Sequence, residues 1–496
     1  MEIRGIKPVK VDGSRNLELF ELRPAEYLSV PLVADDGDTA IRAVNVGEKV
    51  KEGSLIAKPK GKYGAYVYSP VCGKVVSVVK KLNASGNLCE HVVIARDLSD
   101  EKEYLRPMDD ADINQETLLK RLYESGMIDN FEPYDPSYKK YLLKNPIKEL
   151  VINCAPFDPY ALSADALLTN FLHEVFEGAR LLQQVAGAEK LVFLFTVKQK
   201  RFSKIVSSFV SSAALNKVVK VKFYPNIYPL QFDRLVAYYE TGKMVPEGTR
   251  TAEIGVIVDS VNNCYDFYNA VRQGKPAIER AVTISGNNCV RKANYFVKNG
   301  TPISHILDIV GTVENVSEKM LVYGGIMTGL AQESAEVSVT LTASTILLCD
   351  AEEFIVESYM PCINCGKCND VCPVKLNVRK LDQCFMDQKY TDAKSMHVSS
   401  CIGCGCCSYV CPSRRNLSQR MRYMKDYAMN KRAKSPDSSE YVLVEGEDLR
   451  NSGSLEKVID DHTSFEKVSD RKETPAIEEM LNVLDQKSKT GGKKDE

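Results

Sequence analysis

Two cysteine runs with one spacing constrain this chain more than anything else in it. Cys362, Cys365, Cys368 and Cys372, followed by Pro373, are answered by Cys401, Cys404, Cys407 and Cys411, followed by Pro412. The doubled C-x2-C-x2-C-x3-C-P pattern is that of two-cluster ferredoxins, in which the fourth cysteine of each run ligates the other cluster. One [4Fe-4S] cluster then takes Cys362, Cys365, Cys368 and Cys411, and the other takes Cys401, Cys404, Cys407 and Cys372. Closely spaced thiolates wrap one corner of a cubane, a tight loop lets backbone N–H groups reach its sulfurs, and the proline turns the chain away. A pair of zinc sites is the competing reading, but zinc knuckles rarely repeat the C-P ending. Cys384 and Cys406 fall outside the pattern and are not expected to be ligands. Crossed ligation holds two clusters close together, which suits an electron relay better than a lone catalytic cluster.

The rest of the composition narrows the setting. Ten of the 16 cysteines lie between Cys362 and Cys411, and the other six are scattered, as buried small hydrophobes usually are. The N-terminal MEIRGIKPVKVDG has no apolar secretion signal, so the cysteines point to metal or redox chemistry in a reducing compartment rather than to disulfides. No run of apolar residues is long enough to span a bilayer. A formal net charge of −1 over 496 residues does not favour nucleic acid as a partner.

Along the chain, five segments are expected. Residues 1–110 contain short apolar strands separated by glycine turns around SPVCGKVVSVV and read as a small all-β barrel or sandwich. Residues 111–276 begin with a helix over INQETLLKRLYESG. ELVIN then starts a strand–helix alternation, with a long helix over SADALLTNFLHEVFEGARLLQQVAG opened by Ser163. Such alternation predicts a doubly wound parallel sheet with helices on both faces. Residues 277–350 return to short β segments, including YFVKNGTPISHIL; residues 351–433 hold the cysteine-rich helical domain; and residues 434–496 read as a disordered charged tail, with one marginal helix over 474–487. Between 414 and 434 stand Arg414, Arg415, Arg420, Arg422, Lys425, Lys431, Arg432 and Lys434 against Asp426. The plain reading is a solvated helix face; the sharper one is a docking surface for an acidic redox partner or anionic headgroups.

These stretches, with PAIERAVTISG, VRKANYFVKNGTPISHIL, GGIMTG and CPSRRNL, resemble the RnfC family of the Rnf electron-transport complex over most of residues 1–430. The resemblance implies a peripheral subunit on the cytoplasmic side of the bacterial inner membrane. It implies an N-terminal barrel-sandwich, a nucleotide-binding α/β domain, a soluble-ligand-binding (SLBB-like) β-grasp domain and the two-[4Fe-4S] domain. Integral-membrane subunits of an Rnf/Nqr-type complex would be partners, with ferredoxin, flavodoxin or NADH as donor, and FMN and NADH as further cofactors.

The departures bear on those last two. Where the family has a glycine-rich flavin and NADH loop, this chain has SGMIDNFEPYDPSYKK, keeping Gly126 but placing Asp129, Glu132 and Asp135 among the lost glycines. Glycines let N–H groups approach phosphates closely. The next motif reads NCAPFDPY, with Asp158 replacing its second acid, and a third reads YPLQFDR at Tyr228, its glycine gone. No G-x-G-x-x-G follows ELVIN. The flavin–NADH pocket is therefore expected to be degenerate, and in this stretch the chain resembles the NqrA component of the sodium-translocating NADH–quinone reductase. Lys62, on a turn of the barrel, resembles a lipoyl lysine in position but lacks its acidic neighbour, and reads as a solvated turn lysine. The expected role is that of an electron relay within a larger complex. An FMN/NADH dehydrogenase module, a soluble cobalamin-reductase-like protein and a structural adaptor are the alternatives.

Overall fold

The computed structural model describes residues 4–7, 16–35, 38–61, 64–129, 135–142, 145–156, 158–212, 215–313, 319–351, 360–429, 442–447 and 465–467. Lys62, Glu132, the basic residues beyond 429 and the 474–487 segment lie outside them.

Alternation of valine and isoleucine builds the barrel. Tyr27–Pro31, Leu88–Arg96 and Gly73–Leu82 pair antiparallel, and Leu28, Val30, Ile56, Val75, Val92 and Ile94 fill its interior. Two additions come from far away in sequence. Val442–Gly446 pairs with the Gly73–Leu82 strand, and Phe465–Lys467 pairs with Leu19–Leu22. The segment read as a disordered tail thus contributes two strands, each ordered by a ladder that local composition does not reveal. Leu19–Leu22 in turn lies parallel to Ala293–Lys298, so a strand assigned to the first domain joins the sheet of the third.

The α/β unit follows from its strands. Val219–Tyr224, Lys190–Thr196, Glu149–Asn153 and Val256–Ser260 form one parallel sheet in that order. Leu150 and Ile152 point into one core, Val151 into another, so both faces are covered, as parallel sheets require. The helix expected over 163–187 is two: Ser163–Asn170 and Leu172–Ala186. Phe171 breaks it, leaving helical backbone with its ring tilted 4.9 Å from that of Tyr265 and edge-on 5.9 Å from that of Phe296. Ser163 is the first helical residue rather than the cap. In the third unit, Glu279–Ser285, Ala293–Lys298, Lys319–Tyr323 and Thr345–Asp350 form a mixed sheet. Ile303–Val310, expected among strands, is a helix whose Ile303, Ile306 and Val310 face the core. That i, i+3, i+7 spacing is a helical stripe.

The cysteine-rich unit, 360–429, repeats itself. Asn364 and Gly403, Gly366 and Gly405, and Lys375 and Arg414 all have positive φ at matching positions of the two runs. Helices Val378–Met386 and Leu417–Ala428 follow at the same offset. Their apolar faces, with Leu381, Leu417, Met421 and Met424, close one small core between them. Among the described residues no helix is long and apolar enough to cross a membrane.

Candidate iron–sulfur centres and the neighbouring crevice

The repeat folds the thiols into two groups. Cys362, Cys365, Cys368 and Cys411 together line one pocket of about 370 Å³. Cys362 and Cys365 are exposed; Cys368 and Cys411 are half-buried. The other group is more enclosed, with Cys372 and Cys404 buried. Burial, with Cys401 and Cys404 alongside, pushes the Cys372 thiol up to about 11. Burial likewise raises Cys407, and Cys401, Cys404 and Cys372 add to it. The fourth cysteine of each run therefore stands among the first three of the other.

Among the described residues no His, Cys, Asp or Glu group is placed to hold a single metal ion. The thiols of the first group instead share the lining of one pocket. Backbone N–H groups reach two sulfurs of the second group: Leu376 N–H donates to Cys372 Sγ at 3.3 Å, and Gly403 N–H to Cys401 Sγ at 3.4 Å. The donor set, the cradle and the N–H···S bonds fit cubane clusters. Cys384 sits 4.0 Å from Met396 Sδ and does not line the pocket of the first group. Cys406 is buried with Ile6 and Tyr228 in an inter-unit core.

Distant elements clamp the second group. Tyr228 donates its hydroxyl to Cys404 O at 2.7 Å, and Lys425 donates to Cys401 O at 2.7 Å. Gly405 (φ +79°) packs so tightly that a Cβ there would lie 2.5 Å from Met327 O. Met327 and Ile326 donate backbone N–H bonds to Asp158 at 2.9 and 3.1 Å. Tyr228 and Asp158 were legible only as remnants of flavin motifs; here they hold the loops around the second thiol group.

Asp158 carries a testable consequence. Burial pushes its carboxyl up to about 6, and the N–H bonds offset this only in part. Its folded-state value lies above the unfolded one, so the folded chain holds the proton more tightly. Its contribution to stability is greatest below the unfolded value, about 4, and falls as pH rises toward about 6. From about pH 5 to about pH 7, wild type should lose about 1 kcal/mol relative to Asp158→Asn. Melting curves of both proteins at the two pH values check this; a difference that does not move with pH rejects it.

The basic run behaves differently from either expectation. Arg415 donates to Asp382 at 2.9 Å and Arg420 pairs with the same carboxylate at 2.5 Å. Arg422 donates to Thr328 O at 3.3 Å. With Lys425 on Cys401 O, four of the five described basic residues turn inward to fasten the module, and Arg414 alone is exposed. The signal was composition, which does not tell an inward arginine from an outward one.

A crevice of about 450 Å³ opens where Asn153 and Ser260 stand side by side at the carboxyl ends of their strands. Strand order reverses at this point, which is where open α/β sheets bind ligands. Asn153, Ser163, Ser260, Asn262 and Ser344 supply its polar lining, and no described lysine or arginine contributes. The acids expected to repel a phosphate are tied up instead. Lys140 pairs with Asp129 at 2.8 Å and with Asp259 at 3.4 Å; Tyr141 donates to Asp259 at 2.6 Å. Asp135 pairs with Lys139 at 2.6 Å and with Arg250.

Fold and thiol groups together define a multidomain iron–sulfur protein. Residues 3–99 match the RnfC barrel sandwich hybrid domain, 133–269 the Nuo51 FMN-binding domain, and 354–412 the 4Fe-4S dicluster domain. A Rhodobacter capsulatus relative, named as the RnfC component of an ion-translocating oxidoreductase complex, is 30% identical over 363 residues, 72% of this chain and 69% of that one. A Haemophilus influenzae relative of the same name is 28% identical over 383 residues, 76% of this chain. The chain belongs to the RnfC family of ion-translocating oxidoreductase complexes. It spans little more than half of the Haemophilus relative's length, 58%. A solved NAD+-reducing [NiFe]-hydrogenase in the H2-reduced state aligns with TM-score 0.45 and 14% identity, covering 64% of this chain and 63% of that one.

Proposed function

We propose that the chain is an electron-relay subunit of an ion-translocating oxidoreductase complex, peripheral on the cytoplasmic side of the membrane. The observation that carries this reading is the gathering of eight thiols into two groups of four drawn crosswise from the two runs. Cys362, Cys365, Cys368 and Cys411 would hold one [4Fe-4S] cluster; Cys401, Cys404, Cys407 and Cys372 would hold the other. Bound there, such clusters supply one-electron transfer. The chain's own part is to fix and shield them. Tyr228 and Lys425 hold the second loop through its carbonyls, and the packing of Met327 on Gly405 keeps water from that side. Electrons would pass on to integral-membrane subunits, from ferredoxin, flavodoxin or NADH.

The unit over 277–350 reads as a soluble-ligand-binding β-grasp domain, a reading supported by its mixed sheet and the packed Ile303–Val310 helix. The flavin pocket reads as lost, because Asp129, Asp135, Lys139 and Lys140 occupy in pairs the region where N–H groups would meet a phosphate. A second reading keeps FMN and NADH, favoured by the crevice beside Asn153 and Ser260. Fluorescence titration of the reconstituted chain with FMN, followed by NADH addition, separates them. No saturable FMN binding is expected; tight binding with NADH-driven cluster bleaching would establish the dehydrogenase reading instead.

A further inference from the structure

The two thiol groups differ in what surrounds them. The second is closed in by Tyr228, Met327 and Cys406. The first opens outward, with Cys362 and Cys365 exposed and two large apolar side chains beside them, Met360 at 62% and Ile363 at 66% exposure. Isolated exposed apolar side chains need no explanation. These two flank the group through which an electron would enter the chain, and Ile363 lines the pocket itself.

Charge singles out the same face. Residues 360–429 contain eleven Lys and Arg against five Asp, in a chain whose formal net charge is −1. Four of the eleven, Arg415, Arg420, Arg422 and Lys425, turn inward, and of the seven exposed ones Lys367, Arg379 and Arg414 stand around the first group. Among the described residues none of the three has a carboxylate partner. Arg379 instead donates to the Asn364 side chain at 2.8 Å, steadying the loop between Cys362 and Cys365. Asp382, the carboxylate that lines the pocket, is committed to Arg415 and Arg420. Asp370, exposed on the same short helix as Lys367, is the one acid of the rim, so an apolar centre lies inside a rim in which cations outnumber acids, the anatomy of a docking face whose partner bears the opposite sign.

We infer that the face formed by Met360, Ile363, Lys367, Arg379 and Arg414 docks an acidic electron-transfer protein, which exchanges electrons with the cluster held by Cys362, Cys365, Cys368 and Cys411. This rests on the relay reading. In each encounter one electron passes from the reduced carrier to the oxidised cluster; the carrier is oxidised by one electron, and no bond or proton changes. Lipid headgroups would also meet the cations, but they have no use for an exposed thiol group, so the observations favour a redox protein.

The test uses the full chain with its clusters assembled and a reduced, acidic two-[4Fe-4S] ferredoxin as probe. Affinity is read by calorimetry and cluster reduction by stopped flow, in wild type, Lys367→Glu, Arg414→Glu, Ile363→Ser and a barrel control, Lys74→Glu. Wild-type association should slow steeply as ionic strength rises from about 0.01 M to about 1 M. Each charge reversal should weaken binding about tenfold or more at low salt. Ile363→Ser should weaken it with little change in the salt slope, and Lys74→Glu should match wild type. Full-strength binding by all three face variants, or equal losses in the barrel control, overturns the inference while cluster reduction by dithionite leaves the relay intact. Binding to anionic phospholipid vesicles through Lys367 and Arg414, without ferredoxin binding, overturns it as well. A chain that assembles no clusters defeats the relay reading and this inference together.

Discussion

Replacing Cys411 by serine should remove the cluster gathered around Cys362 and leave the one around Cys401 in place. Cys372→Ser should do the reverse. Run by run, the opposite would be expected, since Cys411 follows Cys401, Cys404 and Cys407 in sequence. The fold decides otherwise: Cys411 lines the pocket with Cys362, Cys365 and Cys368, and Cys372 lies among Cys401, Cys404 and Cys407. In each variant iron content should fall from about eight to about four atoms per chain. Exposure then tells which cluster survives. Cys411→Ser retains the enclosed cluster, which should bleach slowly under chelator and air; Cys372→Ser retains the open one, which should bleach fast. The reversed pattern would mean uncrossed ligation, and full iron in both variants would mean that neither cysteine is a ligand. Electron transfer through the chain should stop in both, because a relay with one station missing has no second path.

Lys140→Ala should be the most damaging substitution outside the cysteines. Burial alone would lower the Lys140 pKa, but Asp129 and Asp259 outweigh it and raise it. Removing the ammonium leaves both carboxylates buried beside the Tyr141 hydroxyl, with Asp129 and Asp259 only 7% and 1% exposed at the side chain. Breaking a buried pair on one side costs about 3–5 kcal/mol. For a domain of this size that corresponds to a melting point lower by about 10 °C. Adding Asp129→Asn to Lys140→Ala should restore part of the loss, since the two groups share one interaction. An unchanged melting point would show that the network is not what holds Asp129, Lys140 and Tyr141 to the sheet. The flavin reading is involved too: a chain that depends on these pairs cannot open them cheaply to receive a phosphate.

Much of the fold was legible because it is local. The strand over Glu149–Asn153 and the strand–helix alternation after it follow from apolar periodicity, which a few neighbouring residues suffice to define. The break at Phe171 was not legible, because what stops the helix is packing on Tyr265 and Phe296, residues distant in sequence. The helix at Ile303–Val310 was hidden in a β-rich stretch, although its apolar stripe was there to be read. The strands at Val442–Gly446 and Phe465–Lys467 could not be found in a charged, low-hydrophobicity segment, since their order comes from the partners Gly73–Leu82 and Leu19–Leu22.

The candidate site divides the same way. Spacing alone nominated the cysteines proposed to bind clusters and the loop that carries them, because a cubane corner needs three thiolates and turning backbone within one short stretch, and residues such as Gly366 and Gly405 provide the turn. Tertiary structure alone decided that one thiol group is open and the other enclosed, and that Arg415 and Arg420 serve Asp382 rather than a partner. It also turned Asp129 and Asp135 from repulsive charges into internal ion pairs. Exposure and charge pairing depend on what the rest of the chain brings alongside, and that information is spread over residues hundreds of positions apart.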